Sequence, residues 1–63
     1  MPIIQAFLIE GRSPEQKSAF IAAVTEVAIR TVGAPLESMR VIITKMPKTD
    51  FGIGGRSAAD LGR

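Results

Sequence analysis

Residues 3–16 read "IIQAFLIEGRSPEQ", a short apolar run that leads through a glycine into a helix start. The run from Ile3 to Ile9 is apolar apart from Gln5 and has the length of a strand with both faces largely buried. Gly11 ends this run. The residues after it predict the start of a helix. Ser13 is the N-cap, Pro14 takes the first helical position, and Gln16 completes a capping box with Ser13.

The helix predicted from this start continues to Gly33, where the glycine and Pro35 stop it. Its apolar residues recur at spacings of one, three and four, which is typical of one buried helix face. They are Phe20, Ile21, Val24, Val27, Ala28 and Val32. A second strand is predicted over "MRVIITK", Met39 to Lys45, because β-branched residues dominate it.

Two strands that flank one helix predict an α/β fold (α+β in some classifications), a β-α-β unit with parallel strands and a right-handed crossover. A single helix covers one face of such a sheet. Ile3, Phe7 and Ile9 alternate with Ile4 and Leu8, so both faces are apolar and one lacks a cover. We expect other subunits to supply that cover.

The tail, "KMPKTDFGIGGRSAADLGR", contains three glycines within four residues, at 52, 54 and 55, and predicts a brief turn or hairpin. "FGIGGRS" is not a dinucleotide fingerprint, because Ser57 stands where the third glycine belongs. It is not a P-loop either, because Arg56 replaces the lysine. With no histidine or cysteine and no metal-ligand spacing among the acids, we expect no metal and no cofactor.

Composition limits the class of protein further. The 63 residues predict one domain, residues 1–63, which as a monomer would be marginally stable. The hydrophobic fraction of 46% favours association with other chains.

The net charge is +2 and the basic residues are dispersed, so no nucleic-acid partner is expected. With no signal peptide pattern and no apolar stretch near the roughly 20 residues that span a bilayer, we expect a cytoplasmic protein without a membrane partner.

Few residues remain to carry chemistry. Pro2 either begins the strand or, if Met1 is removed, provides a free secondary amine fixed to that strand. Arg12 lies in the turn after the first strand, where a solvated charge is the plain alternative. Arg40 lies within the second strand and either reaches solvent, pairs with an acid or serves a site. Phe51 either anchors the tail or lines a pocket.

Motifs along the whole chain resemble the 4-oxalocrotonate tautomerase family, whose members begin with a catalytic proline. The matching segments occur in the family's order and spacing: "MPI", "LIEGRS" with "EQK" after it, "APL", "RVIIT" and "FGIGG". The resemblance implies a tautomerase subunit that pairs into a four-stranded sheet. Three such dimers would form a hexamer, expected here to be a homohexamer with sites shared between subunits.

The resemblance also implies an isomerase activity of aromatic-hydrocarbon catabolism. Pro2 would be the general base that takes a proton from the 2-hydroxyl of 2-hydroxymuconate and returns it at C5, giving 2-oxo-3-hexenedioate. Arg40 would bind the 1-carboxylate and 2-oxo end, and Arg12 the far carboxylate. Phe51 would form an aromatic wall, and Leu8 would line the pocket with its backbone N–H.

Elementary chemistry is compatible with these roles. An α-amino group titrates near about 7.7 to 8.0, and an apolar pocket beside cations disfavours its protonated form. We therefore expect the Pro2 amine to be partly or mostly neutral at pH 7, which suits a base. Two guanidinium groups match the two carboxylates of a dicarboxylate substrate.

Other functions stay open at this stage. Asp50, beside Phe51, is compatible with a dehalogenase-like or hydratase-like relative that adds water to a 3-haloacrylate, although a solvated turn is the simpler interpretation. Asp50 and Arg56 give the tail its own charge pattern. The non-enzymatic alternatives are a structural oligomer and a small DNA-binding protein. The order strand, helix, strand disfavours the DNA-binding ribbon folds.

Overall fold

The computed structural model describes residues 2–63 and shows a β-α-β unit followed by a small hairpin. The unit consists of β1 (Ile3–Ile9), α1 (Pro14–Val32) and β2 (Arg40–Met46), with a 3-10 turn at Leu36–Ser38 before β2. A second 3-10 turn, Lys48–Asp50, leads to β3 (Gly52–Ile53) and β4 (Arg56–Ser57). The predicted α/β architecture is thereby confirmed.

The ends of α1 follow the capping chemistry of the sequence. The Ser13 hydroxyl accepts a hydrogen bond from the Gln16 N–H at 3.1 Å, and the Gln16 side chain accepts one from the Ser13 N–H at 2.9 Å. At the other end Gly33 adopts the left-handed conformation, with φ 71°, and donates its N–H to the Ile29 carbonyl at 3.2 Å. Both ends therefore satisfy helix groups that would otherwise lack partners.

β2 begins and ends one residue later than the pattern of β-branched residues predicts. Met39 ends the preceding 3-10 turn, where its N–H bonds to the Leu36 carbonyl at 3.2 Å. At the far end, Met46 still belongs to the ladder because its carbonyl accepts the Glu10 N–H at 2.8 Å. The predicted bounds of 39–45 are thus wrong by one residue, while the strand itself is confirmed.

The two long strands pair in parallel from Ile3↔Arg40 to Ile9↔Met46. Helix α1 lies on one face, where a small core forms from Ala28, Ala34 and Met39, with Ile4 packed against it. The opposite face is left open: Ile3, Phe7 and Ile42 are 63%, 62% and 48% exposed. One chain therefore presents an apolar sheet face to its surroundings.

The tail folds into the hairpin that its glycines predict. Gly54 and Gly55 take positive φ angles between β3 and β4, which pair in antiparallel fashion. Ala58 is fully buried and donates its N–H to the Phe51 carbonyl at 2.7 Å. The glycines thus form a turn. Within residues 2–63 no helix is long and apolar enough to cross a membrane.

We expect Gly33→Ala to lower the free energy of unfolding by about 1 kcal/mol, because an L side chain is strained in the left-handed conformation that closes α1. Gly52→Ala is the matched control, because Gly52 has no positive φ and open space around its Cα. Urea denaturation at one fixed protein concentration measures both. Equal loss in the two variants would contradict the role assigned to the Gly33 conformation.

Candidate active site

Pro2 and Arg40 are neighbours at the amino-terminal end of the parallel sheet. The Pro2 carbonyl accepts the Arg40 N–H at 3.2 Å, which fixes the backbone of Pro2 to β2. The Arg40 guanidinium folds back over the preceding turn, where Nη1 donates to the carbonyls of Glu37 and Met39 at 2.9 Å each. Arg40 is exposed, so its guanidinium remains accessible to an anion.

Pro2 also lines an apolar groove of about 430 Å³ between the start of β1 and the helix. Ile4, Val24 and Ala28 form its floor with other small or aliphatic residues of α1. Val27 and Val32 on its wall are 47% and 68% exposed. Pro2 therefore borders an aliphatic surface that the single chain leaves open to its surroundings.

Leu8 and Arg12 lie at the opposite, carboxyl-terminal end of β1. Both line a small depression of about 40 Å³. Its other lining residues are Ile9, Glu10, Gly11, Lys17 and Lys45. Arg12 Nη1 donates to the Ile9 carbonyl at 2.8 Å, which holds the guanidinium close to the strand end.

The direction of the backbone groups distinguishes Leu8 from Ile9. Alternate residues of a strand direct their N–H and C=O to opposite sides. The Pro2 carbonyl and the Glu10 N–H both bond to β2, so Leu8, of the same parity, directs its N–H to β2 as well. The Ile9 N–H therefore faces the open edge of the sheet, the side on which Arg12 reaches the Ile9 carbonyl.

Phe51 lies beyond the carboxyl-terminal end of β2, directly after the 3-10 turn, and is 39% exposed. The turn is tied to the end of β1 by Glu10 Oε2, which accepts the Lys48 N–H at 3.3 Å. Asp50 accepts a long hydrogen bond from the Thr49 hydroxyl at 3.4 Å, and Arg56 donates to the Asp60 carbonyl at 3.3 Å. Through these hydrogen bonds Asp50 and Arg56 each contact a nearby residue of the tail.

The predicted site residues therefore form two halves within one chain. Pro2 and Arg40 lie at the start of the strands, whereas Leu8, Arg12 and Phe51 lie at or beyond their ends. The seven residues of β1 are separated by six steps of about 3.3 Å, so its ends lie roughly 20 Å apart, too far for one small substrate to contact both. The predicted removal of Met1 concerns a residue outside the described part of the chain.

Sequence reasoning named two of the seven residues that line the depression, Leu8 and Arg12, and missed among the others Ile9, Lys17 and Lys45. To identify Ile9, one must know which residues of β1 direct their N–H to the open edge of the sheet. The apolar pattern of a strand does not reveal this. Lys45 would have required the strand register, which places it opposite Leu8. Within residues 2–63 no cluster of three or more carboxylate, histidine or cysteine side chains could hold a metal ion.

Comparison with known proteins gives consistent results. A family model described as "Tautomerase enzyme" matches residues 2–61. A 2-hydroxymuconate tautomerase of Stutzerimonas stutzeri is 57% identical over 63 residues, which cover all of both chains. Among solved structures, apo unfused 4-OT is 52% identical, with a TM-score of 0.90 over 95% of this chain and 98% of the other.

A second solved structure is a heterohexamer 4-oxalocrotonate tautomerase from Chloroflexus aurantiacus. It is 36% identical, with a TM-score of 0.91 over 97% of this chain and 98% of that one. Sequence and fold thus agree over nearly the whole length of the chain. This chain belongs to the tautomerase enzyme family.

Proposed function

We propose that this protein is an isomerase of the cytoplasm that converts 2-hydroxymuconate, or a closely similar enol dicarboxylate, to its conjugated 2-oxo isomer. The observation that carries the proposal is the position of Pro2, at an apolar groove and bonded through its backbone to Arg40. The full-length identity of 57% to a 2-hydroxymuconate tautomerase supports this choice of substrate.

Pro2 acts as the general base once Met1 has been removed. Its secondary amine takes the proton from the 2-hydroxyl of the dienol and returns it to C5, so the double bonds shift and no atom is gained or lost. The apolar groove surrounds the amine with aliphatic side chains, and proline's ring limits its motion. A positioned base of this kind contributes about 10²-fold to 10⁴-fold to a rate.

The two halves of the site meet in an assembly of subunits. A two-fold axis at the open edge of β1 sets two β1 strands antiparallel, which gives a four-stranded sheet. This arrangement brings Pro2 of one chain next to Ile9 and Arg12 of the partner subunit. The apolar face around Ile3, Phe7 and Ile42 then lies between dimers in a homohexamer.

Each remaining group has a distinct role in this assembled site. Arg40 binds the 1-carboxylate and stabilises the charge that develops on the 2-oxygen, and Arg12 binds the far carboxylate bidentately. The edge-facing N–H of Ile9, in place of that of Leu8, donates to the substrate. Phe51, which is exposed at the rim, supplies an apolar wall.

The role of Pro2 predicts that a chain retaining Met1 is at least about 10²-fold less active, because an acylated proline nitrogen is an amide and no longer a base. Intact mass spectrometry defines the Met1 content, and the ultraviolet absorbance of 2-hydroxymuconate follows turnover. Removal of Met1 in vitro with an aminopeptidase should restore activity. Full activity with Met1 on every chain would exclude Pro2 as the base.

The roles of the two arginines predict different kinetic losses. Arg40→Ala should lower kcat about 10²-fold, in the range expected for loss of one oxyanion donor. Arg12→Ala should act mainly on KM, because the far carboxylate is held similarly in ground and transition states. Arg30→Ala is the control, because Arg30 is an exposed helix residue that pairs with Glu26 at 3.6 Å.

Retention of wild-type kcat/KM in both Arg40→Ala and Arg12→Ala would contradict the assigned site. An equal loss in Arg30→Ala would indicate that net charge, rather than contact with the substrate, explains the effect.

The open sheet face, together with the similarity to a heterohexamer tautomerase, predicts a sedimentation mass of six chains of 6.7 kDa each. Phe7→Glu should reduce this mass, because the 62% exposed Phe7 lies on the apolar face that other chains are proposed to cover. Ala22→Glu adds the same charge on the exposed side of α1 and should leave the mass unchanged. A stable wild-type monomer or simple dimer would refute the hexamer.

A further inference from the structure

Three cationic side chains surround the small depression at the carboxyl-terminal end of β1. Arg12 follows the strand, half-buried Lys17 extends from the first turns of α1, and Lys45 lies opposite Leu8 on β2. They come from three different segments of the chain. The folded unit, rather than a local run of basic residues, therefore creates this concentration of positive charge.

Within the described residues no acid forms an ion pair with these three cations, and one carboxylate faces them. Within residues 2–63 the one ion pair joins Arg30 and Glu26, on an exposed face of α1. Glu10, the one acid that lines the depression, accepts a hydrogen bond from the backbone N–H of Lys48 at 3.3 Å. The depression consequently has an excess of positive charge and suits an anion.

The size of the depression limits which anion it can take. Its volume of about 40 Å³ is several times the ~10–15 Å³ that admits one water molecule, but far smaller than the apolar groove beside Pro2. It accommodates one carboxylate group rather than a whole dicarboxylate. It therefore suits the end of an extended acid whose remainder lies elsewhere.

We propose that Lys17 and Lys45 act with Arg12 to hold the second carboxylate of the substrate, and so select dicarboxylates over monocarboxylates. This inference rests on the proposed tautomerase function and extends its specificity. Arg12 Nη1 is engaged by the Ile9 carbonyl at 2.8 Å, which leaves its other nitrogens for the carboxylate. The ammonium groups of Lys17 and Lys45 add charge from the helix side and the β2 side.

The test compares two substrates with the same reacting end: 2-hydroxymuconate, and 2-hydroxy-2,4-pentadienoate, which lacks the second carboxylate. Lys17→Gln and Lys45→Gln should each lower kcat/KM for the dicarboxylate about threefold to fivefold, as expected for a partly exposed charge contact. The value for the monocarboxylate should change less than twofold. Lys48→Gln is the control, since it removes the same charge nearby but does not line the depression.

A second measurement does not depend on turnover. Calorimetric titration with adipate, a six-carbon dicarboxylate, should show weaker binding to Lys17→Gln and Lys45→Gln than to the wild-type protein and to Lys48→Gln. Unchanged adipate affinity in both variants, a loss equal to that in Lys48→Gln, or no adipate binding to the wild-type protein would overturn the proposal.

The two measurements separate this proposal from the proposed function. If the wild-type protein binds adipate through the lysines but does not turn over 2-hydroxymuconate, the depression remains a carboxylate site and the tautomerase substrate is wrong. If turnover is normal and the lysine variants match Lys48→Gln for both substrates, the tautomerase stands and the role of the lysines is refuted.

Discussion

One helix can cover only one face of a two-stranded sheet, and this limit determines the rest of the molecule. Both faces of the sheet carry aliphatic or aromatic residues, yet α1 packs on only one of them. The buried core of the single chain is consequently small, and its fully or largely buried members are alanines and one methionine. Burial of the second face would contribute roughly 25 cal/mol for each Å² of apolar surface removed from water. Association that covers this face would therefore add to the folding energetics of the chain.

The same parallel pairing divides the chemistry between the two ends of the sheet. Parallel strands have their starts at one end and their ends at the other, so Pro2 and Arg40 are held together while Arg12 and Phe51 are held far from them. The proposed dicarboxylate substrate has an acidic group at each end and would contact both sets of residues. In the proposed assembly a two-fold related chain supplies the missing half, because it presents its strand ends where the first chain presents its strand starts. Under this proposal, stability and catalysis depend on the same association.

Much of the fold follows from local chemistry that can be read in the sequence. Ser13 and Gly33 define both ends of α1, because a cap needs particular side chains or a left-handed glycine. The bounds of β2 were shifted by one residue, because hydrogen bonds of Met39 and Met46 set them rather than the β-branched pattern. Family resemblance indicated Pro2, Arg12, Arg40, Leu8 and Phe51 as site residues. Ile9 and Lys45 could not be found in this way, since strand parity and register are properties of the folded sheet.

The sequence contains no histidine, and the proposed base is a main-chain amine that the backbone itself must position. A side-chain base can be oriented by its own rotamers. The amine of Pro2 is part of the main chain, so the backbone at the start of β1 alone determines where it lies. The hydrogen bond from the Arg40 N–H to the Pro2 carbonyl, at 3.2 Å, holds the backbone of Pro2 in place. It extends the ladder to the first residue of the proposed mature chain, so the nitrogen stays at the groove while Arg40 begins β2 beside it. This hydrogen bond therefore fixes the backbones of the proposed base and the proposed oxyanion donor relative to each other, so both groups lie where two paired strands begin rather than in a long loop.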